Sequence, residues 1–192
     1  MKKNKIIADY LLALICFIIF LVPMIIIFIA VTFDTGMIGI FTQNRIGKNG
    51  KHFNLFKFRT MKGVYTSTVT TDKMQITQLG KFLRKYKLDE LPQILNILMG
   101  DMSWVGPRPD VPGYADKLEG EDKIILSVKP GITGPAQLKY RNEEEILSKV
   151  EDPQLYNDTI IWKDKININK DYVKNWSLTG DFNYLFKTIF VK

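Results

Sequence analysis

The chain has 192 residues, with 27 Lys and Arg against 20 Asp and Glu, and a formal net charge of +7. A single cysteine and a single histidine exclude a disulfide framework and a Cys/His zinc cluster. The basic balance suits an anionic partner: a membrane surface, a nucleotide or a nucleic acid.

Residues 11–33 carry no charge. That run is long enough for a membrane span, which takes about 20 apolar residues. It exceeds the apolar core of a signal peptide, about 7–15 residues, and offers only a poor cleavage site at Ala30-Val31-Thr32, so it reads as a retained anchor. Lys2, Lys3 and Lys5 favour a cytoplasmic N-terminus, and Arg45, Lys48, Lys51, Lys57 and Arg59 ask for the same side after the run. A helix that enters the bilayer and turns back meets both demands. Pro23, in the middle of the run, removes one backbone hydrogen bond and can supply the bend. An ordinary span that tolerates a proline fits the same residues. Residues 1–36 are thus read as the anchor, and residues 37–192 as one domain large enough for a single core.

Residues 38–61 read as strand, turn and strand, with the turn in 43–51 and β-favouring Phe53, Leu55, Phe56 and Phe58 after it. Residues 63–77 are polar and read as a loop. In 78–87, Leu79, Phe82, Leu83 and Tyr86 recur at helical spacing, with Lys81, Arg84, Lys85 and Lys87 on the other faces. Residues 91–99 predict a short apolar helix stopped by Gly100. Residues 101–113 and 129–137, broken by prolines and glycines, read as irregular loops. Residues 142–150 and 153–176 read as mostly helical. Phe182, Leu185, Phe186, Ile189 and Phe190 form an apolar stripe that suits either the bilayer interface or the domain core.

Two stretches carry chemistry. Leu88-Asp89-Glu90-Leu91-Pro92-Gln93 places two carboxylates at the head of a helix, because proline fits the first turn, where its missing N–H costs nothing. The partial positive charge there keeps a carboxylate ionised, as a nucleophile aimed at phosphorus requires. Helix capping alone also accounts for the acids. In Gly106-Pro107-Arg108-Pro109-Asp110, two prolines hold Arg108 in a restricted place, and a guanidinium can grip a phosphate with two hydrogen bonds. Asp110 can take a ribose hydroxyl, a metal or Arg108 itself. His52 has no partners at ligand spacing and reads as a surface or structural residue.

Taken in order, Asn44-Arg45-Ile46-Gly47, Phe56-Lys57-Phe58-Arg59-Thr60-Met61, Leu83-Arg84-Lys85, the Asp89-Glu90 hexapeptide, Asn96, Gly100-Asp101-Met102-Ser103, Gly106-Pro107-Arg108-Pro109 and Lys129-Pro130-Gly131-Ile132-Thr133-Gly134 resemble the bacterial sugar transferases, the small monotopic phosphoglycosyl transferases. The resemblance implies an α/β, mostly helical fold: a re-entrant membrane helix hairpin plus one small membrane-associated domain with amphipathic interfacial helices. It implies transfer of a phosphosugar from a UDP-sugar to polyprenol (undecaprenyl) phosphate, with release of UMP, on the cytoplasmic face of the bacterial inner membrane. It also implies Mg²⁺ as cofactor and a ping-pong path through a covalent phosphosugar on Asp89.

By the same resemblance, Asp89 and Glu90 are the catalytic and metal-holding pair. Lys57, Arg59, Arg84, Arg108 and Asp110 are the substrate-binding candidates, and Pro23 is the membrane break. Ion-pair and fold-maintaining roles stand beside those for every one of the bases. The usual Ser-Pro of that break is Val22-Pro23 here, which loses a hydroxyl able to support the bend. The partners expected are the UDP-sugar, the polyprenol phosphate and the bilayer; no nucleic acid is expected, and a homo-oligomer stays open. A non-catalytic basic membrane adaptor and a different lipid-phosphate transferase are the alternatives.

Overall fold

The structure, a computed structural model, describes residues 3–63 and 75–191. Most of the loop expected over 63–77 lies outside the described residues. The chain is mostly helical, with two small two-stranded sheets.

The apolar run forms one helix, α1 (Lys3–Thr35), with Pro23 inside it rather than two helices joined by a break. At about 1.5 Å per residue it is about 50 Å long. Its buried positions are Lys5, Asp9, Ala13, Met24, Val31 and Thr35, a single stripe at helical spacing. Ala13 packs with Leu55, Ile94, Ile97 and Met102; Met24 and Val31 pack with Phe58 and Leu83. Both halves of α1 therefore lie against the body that follows. The other faces are exposed and apolar, as at Ile18, Ile19, Val22 and Ile26.

The expected hairpin forms as β1 (Ile40–Ile46) and β2 (His52–Phe58), antiparallel, in register from Ile40 opposite Phe58 to Ile46 opposite His52. Its turn needs left-handed backbone at Asn49 (φ 57°) and Gly50 (φ 74°), which asparagine and glycine tolerate. His52 is exposed, with Nδ1 2.7 Å from Asn44 Oδ1 across the hairpin.

Helix α2 (Gln78–Lys85) starts where the Thr77 side chain accepts a hydrogen bond from Gly80 N–H at 2.8 Å. A Cβ at Gly80 would stand 2.2 Å from the Thr60 carbonyl oxygen, so only glycine lets α2 come this close to the end of β2. Helix α3 (Gln93–Met99) ends at Gly100, in the left-handed conformation (φ 88°). In the middle of α3, Asn96 is fully buried. It donates to the Asn54 carbonyl (2.8 Å) and accepts from Phe56 N–H (3.1 Å), so it satisfies the free edge of β2.

The two proline-glycine loops are less irregular than their composition predicts. Each gives a short strand, β3 (Ser103–Val105) and β4 (Gly131–Thr133), and these pair in parallel. Glycines allow the contact: a Cβ on Gly131 would stand 2.1 Å from Gly106 N, and one on Gly134 2.4 Å from Gly106 O. Strands of three residues show no period in a sequence, so composition alone pointed to loops.

The end of the second loop is instead a short helix, α4 (Pro135–Lys139), and the helical segments expected after it are α5 (Glu143–Leu147), α6 (Pro153–Tyr156), a π turn over Asn157–Ile161, and α7 (Trp162–Lys174). The last helix, α8 (Leu178–Phe190), is capped by Ser177. Of its apolar stripe, Phe182, Phe186, Ile189 and Phe190 are exposed, so most of the stripe is not core.

Candidate active site

Asp89 and Glu90 lie in a single 3-10 turn, Leu88–Glu90, between α2 and α3. Lys87, held at φ 57°, reverses the chain out of α2, and Pro92 leads directly into α3. The pair therefore stands just ahead of a helix N-terminus, as the position of Pro92 predicts.

The two acids have different surroundings. Glu90 accepts from Lys57 Nζ at 2.9 Å, and Arg108 Nη2 lies 3.7 Å from the same oxygen. Burial alone would raise Glu90, but Lys57 and then Arg108 outweigh it and hold the carboxyl at about 2. Asp89 is buried, and among the described residues its Oδ1 has no hydrogen-bond partner. Burial, and then the neighbouring Glu90 charge, push Asp89 above its ordinary value, although Lys57, Lys87 and Arg84 pull the other way. One acid is thus ion-paired through Oε1, while its neighbour keeps an unsatisfied oxygen.

Three of the bases proposed from sequence are gathered at this pair. Lys57 comes from β2 and Arg108 from the loop after β3. Arg84, on α2, is anchored through Nε to Thr60 Oγ1 at 2.9 Å. Arg108 is half-exposed, which leaves its guanidinium open to a soluble ligand.

Arg59 is placed elsewhere: its Nε donates to the Ile38 carbonyl at 2.9 Å and its guanidinium stands over Phe41. Asp110 is also outside the carboxylate contact. Its carbonyl accepts from Ile46 N–H at 2.9 Å, and burial pushes its carboxyl up to about 6 against Lys165, Arg45 and Arg108. Among the described residues Arg108 makes its ion pair with Glu90, not with Asp110.

Two residues that lie in the family motifs, but outside the site candidates, support the site. Arg45 donates to the Pro109 carbonyl (3.2 Å) and to Gln43 Oε1 (2.6 Å), tying the arginine loop to β1. Asn96, a lone amide in an apolar helix, was legible as a buried polar group that needs partners.

The largest omission is a polar cluster at the start of α1. Lys5 Nζ bonds Asp181 Oδ2, which also accepts from Trp176 Nε1 at 2.8 Å, while Asp181 Oδ1 accepts from Tyr172 at 2.8 Å. Asp9 accepts from Ser103 Oγ at 2.8 Å and from Trp104 N–H at 3.3 Å. These residues are scattered over α1, β3, α7, α8 and the link between the last two, and no sequence motif joins them.

Among the described residues no group of three or more His, Cys, Asp or Glu is placed to hold a metal. Two adjacent carboxylates, one with an orphaned buried oxygen, still fit Mg²⁺. That ion keeps much of its water and uses one or two carboxylates plus substrate phosphates.

The family model for bacterial sugar transferases matches residues 1–192, and the chain belongs to that family. It is 38% identical over 160 residues to the UDP-glucose:undecaprenyl-phosphate glucose-1-phosphate transferase of Escherichia coli K12, covering 79% of this chain and 32% of that protein. It is 36% identical over 184 residues to the undecaprenyl-phosphate galactose phosphotransferase of Salmonella typhimurium, covering 86% of this chain and 35% of that protein. With the exopolysaccharide production protein ExoY of Rhizobium meliloti the identity is 34% over 200 residues, covering 94% of this chain and 81% of that protein. The chain thus spans about a third of the length of several relatives and most of the length of others.

Proposed function

We propose that this chain moves a phosphosugar from a UDP-sugar to polyprenol phosphate and releases UMP, with Asp89 as nucleophile. The observation that carries this reading is the unpaired, buried Oδ1 of Asp89 beside an acid that two cations have already neutralised. The names of the Escherichia and Salmonella relatives support the substrate classes.

The chemistry follows from that geometry. An Asp89 carboxylate oxygen attacks the sugar-bearing phosphorus in line. The bond from that phosphorus to the bridging oxygen breaks, and the bridging oxygen leaves on UMP. The phosphosugar is then an acyl phosphate on Asp89. A polyprenol phosphate oxygen attacks the same phosphorus, and the aspartate leaves as carboxylate.

Lys57, Arg84 and Arg108 neutralise the phosphate oxygens during both transfers. Glu90, held at about 2, is a weak base, so it suits holding a cation and orienting Lys57 rather than taking a proton. When Mg²⁺ is bound by Asp89 and Glu90, it supplies charge neutralisation at the diphosphate. Arg59 and Asp110 shape the surroundings: Arg59 fixes the junction of α1 and β1, and Asp110 stands beside the arginine loop.

The acceptor's tail belongs in the bilayer, so the site belongs at headgroup level on the cytoplasmic face. We read residues 1–36 as the anchor and 37–192 as the catalytic domain. Both halves of α1 pack on that one domain, which supports a helix whose two ends lie on the same side of the membrane. The exposed Phe182, Phe186 and Ile189 of α8, with Phe82 of α2 and Tyr86 just after it, suit burial in the interface.

Intact-mass spectrometry of the enzyme mixed with donor alone tests the central step. A phosphosugar adduct is expected on the wild type and none on Asp89→Asn; an adduct that persists in that variant eliminates Asp89 as nucleophile. For topology, with Cys16 replaced by serine, cysteines at Lys3 and Lys51 should label from the same side. Labelling from opposite sides overturns re-entry. A non-catalytic adaptor would release no UMP from any UDP-sugar.

A further inference from the structure

A second concave feature shares no lining residue with the carboxylate site. It is a groove of about 720 Å³ between α4, α5 and the C-terminal end of α8. Lys139, Arg141, Lys149 and Lys187 line it, with Glu145 as the one carboxylate among the lining residues.

Those cations are only partly spent. Lys149 pairs with Glu145 at 2.6 Å, and Lys139 with Asp164 at 2.7 Å. Arg141 donates to the carbonyls of Val191 and Lys187 at the end of α8, which uses part of its fork of donors. Lys187 makes no ion pair among the described residues. Apart from Asn142, the rest of the wall is apolar, through Leu138, Ile146, Val150 and Val191. Beside the groove, Phe186, Ile189 and Phe190 are exposed, and the first and last stack at 4.8 Å.

Excess positive charge against an apolar wall, opening beside a lipid-like helix face, matches a ligand with an anionic head and a hydrocarbon tail. A free nucleotide or a soluble phosphate has no use for the apolar part. We propose that the groove binds the phosphate headgroup of one anionic phospholipid of the host bilayer, with its chains along Phe186, Ile189 and Phe190. Juxtamembrane lysines gain about 1 kcal/mol each near anionic lipid, so two of them suffice for a measurable preference. The proposal rests on the membrane placement argued above and not on the chemistry at Asp89.

Native mass spectrometry of the full chain in a neutral detergent tests it, with phosphatidylglycerol or phosphatidylcholine added as the probe. The wild type is expected to retain one phosphatidylglycerol in clear preference to phosphatidylcholine. Lys149→Ala with Lys187→Ala should weaken that retention by about tenfold or more. Lys117→Ala with Lys123→Ala, exposed lysines away from the groove, should leave it unchanged.

Equal loss in the two double variants, or equal retention of phosphatidylcholine, overturns the proposal. Displacement by millimolar inorganic phosphate would show a simple anion site and overturn it too. Competition by undecaprenyl phosphate, with a raised KM for that acceptor in the groove variant, would make the groove an acceptor site instead. A loss of the Asp89 adduct leaves the lipid measurement intact, so the two readings fail separately.

Discussion

Two buried acidic centres in this molecule are built on opposite plans. At the start of α1, Asp181 is bonded by Lys5, Tyr172 and Trp176, and Asp9 by Ser103 and Trp104, so both acids are satisfied by the protein itself. Between α2 and α3, Glu90 is held by Lys57, but Asp89 keeps a buried oxygen with no partner among the described residues. A satisfied buried network holds elements in place. An unsatisfied buried carboxylate costs stability, and a fold retains it where a substrate completes the bonding. The first centre joins helices, and the second is open to chemistry.

Asp89→Asn breaks the comparison most severely. UMP release from a UDP-sugar should fall by about 10³-fold or more, because the amide is no nucleophile. Stability should move the other way. A carboxyl raised above its unfolded value favours folding below that value, and the advantage is lost as pH rises through the folded one. At neutral pH the ionised Asp89 is therefore a liability that asparagine removes, and thermal melting of the variant in detergent should be unchanged or higher. A large drop in melting temperature would place Asp89 with the structural centre.

Lys5→Met tests the other side. It strands Asp181 without its cation, and breaking such a buried pair costs about 3–5 kcal/mol. A marked fall in thermal stability is expected, while UMP release per folded molecule at a permissive temperature should stay near wild type. Lys5→Met combined with Asp181→Asn should recover part of the loss. Loss of turnover with full stability would show instead that this cluster serves the reaction.

Glu90→Gln is the intermediate case, because Glu90 shares the Leu88–Glu90 turn with Asp89 yet is ion-paired as Asp181 is. Lys57 would lose its charge partner in a half-buried place, at a cost of about 1–3 kcal/mol. The wild-type contribution is present above Glu90's ordinary value of 4.5 and fades as pH falls towards about 2. Wild type and variant should therefore converge in stability between those values. A constant difference across that window would assign the loss to packing rather than to charge.

How much of this was legible depended on how local each feature is. The hairpin, α2, α3 and the acid pair each rest on a few neighbouring residues: alternating aromatics, a helical repeat, Pro92 and Gly100. The parallel pairing of β3 with β4 rests on Gly106, Gly131 and Gly134 meeting across the chain, which no window of sequence contains. The Lys5–Asp181 bond joins residues at opposite ends of the chain, and neither has a telling neighbour. In the candidate site, the gathering of Lys57, Arg84 and Arg108 at one turn followed from the family motifs. The turning away of Arg59 towards the Ile38 carbonyl did not, because it depends on where α1 ends.

The smallest effect is also the sharpest test of which acid limits the reaction. If Asp89 must be ionised to attack, activity should fall on the acid side through a value above that of an ordinary aspartate. Lys87 is exposed and lowers that value through its charge alone. Lys87→Gln should therefore shift the acid limb upward, and the shift should shrink in high salt. Asp110 is a rival source, since its carboxyl is pushed up to about 6. The two are separable, because Asp110→Asn removes a limb that belongs to Asp110 and leaves one set by Asp89 still responsive to residue 87. A limb that ignores Lys87→Gln at low salt and vanishes in Asp110→Asn would transfer the controlling ionisation from the Leu88–Glu90 turn to the arginine loop.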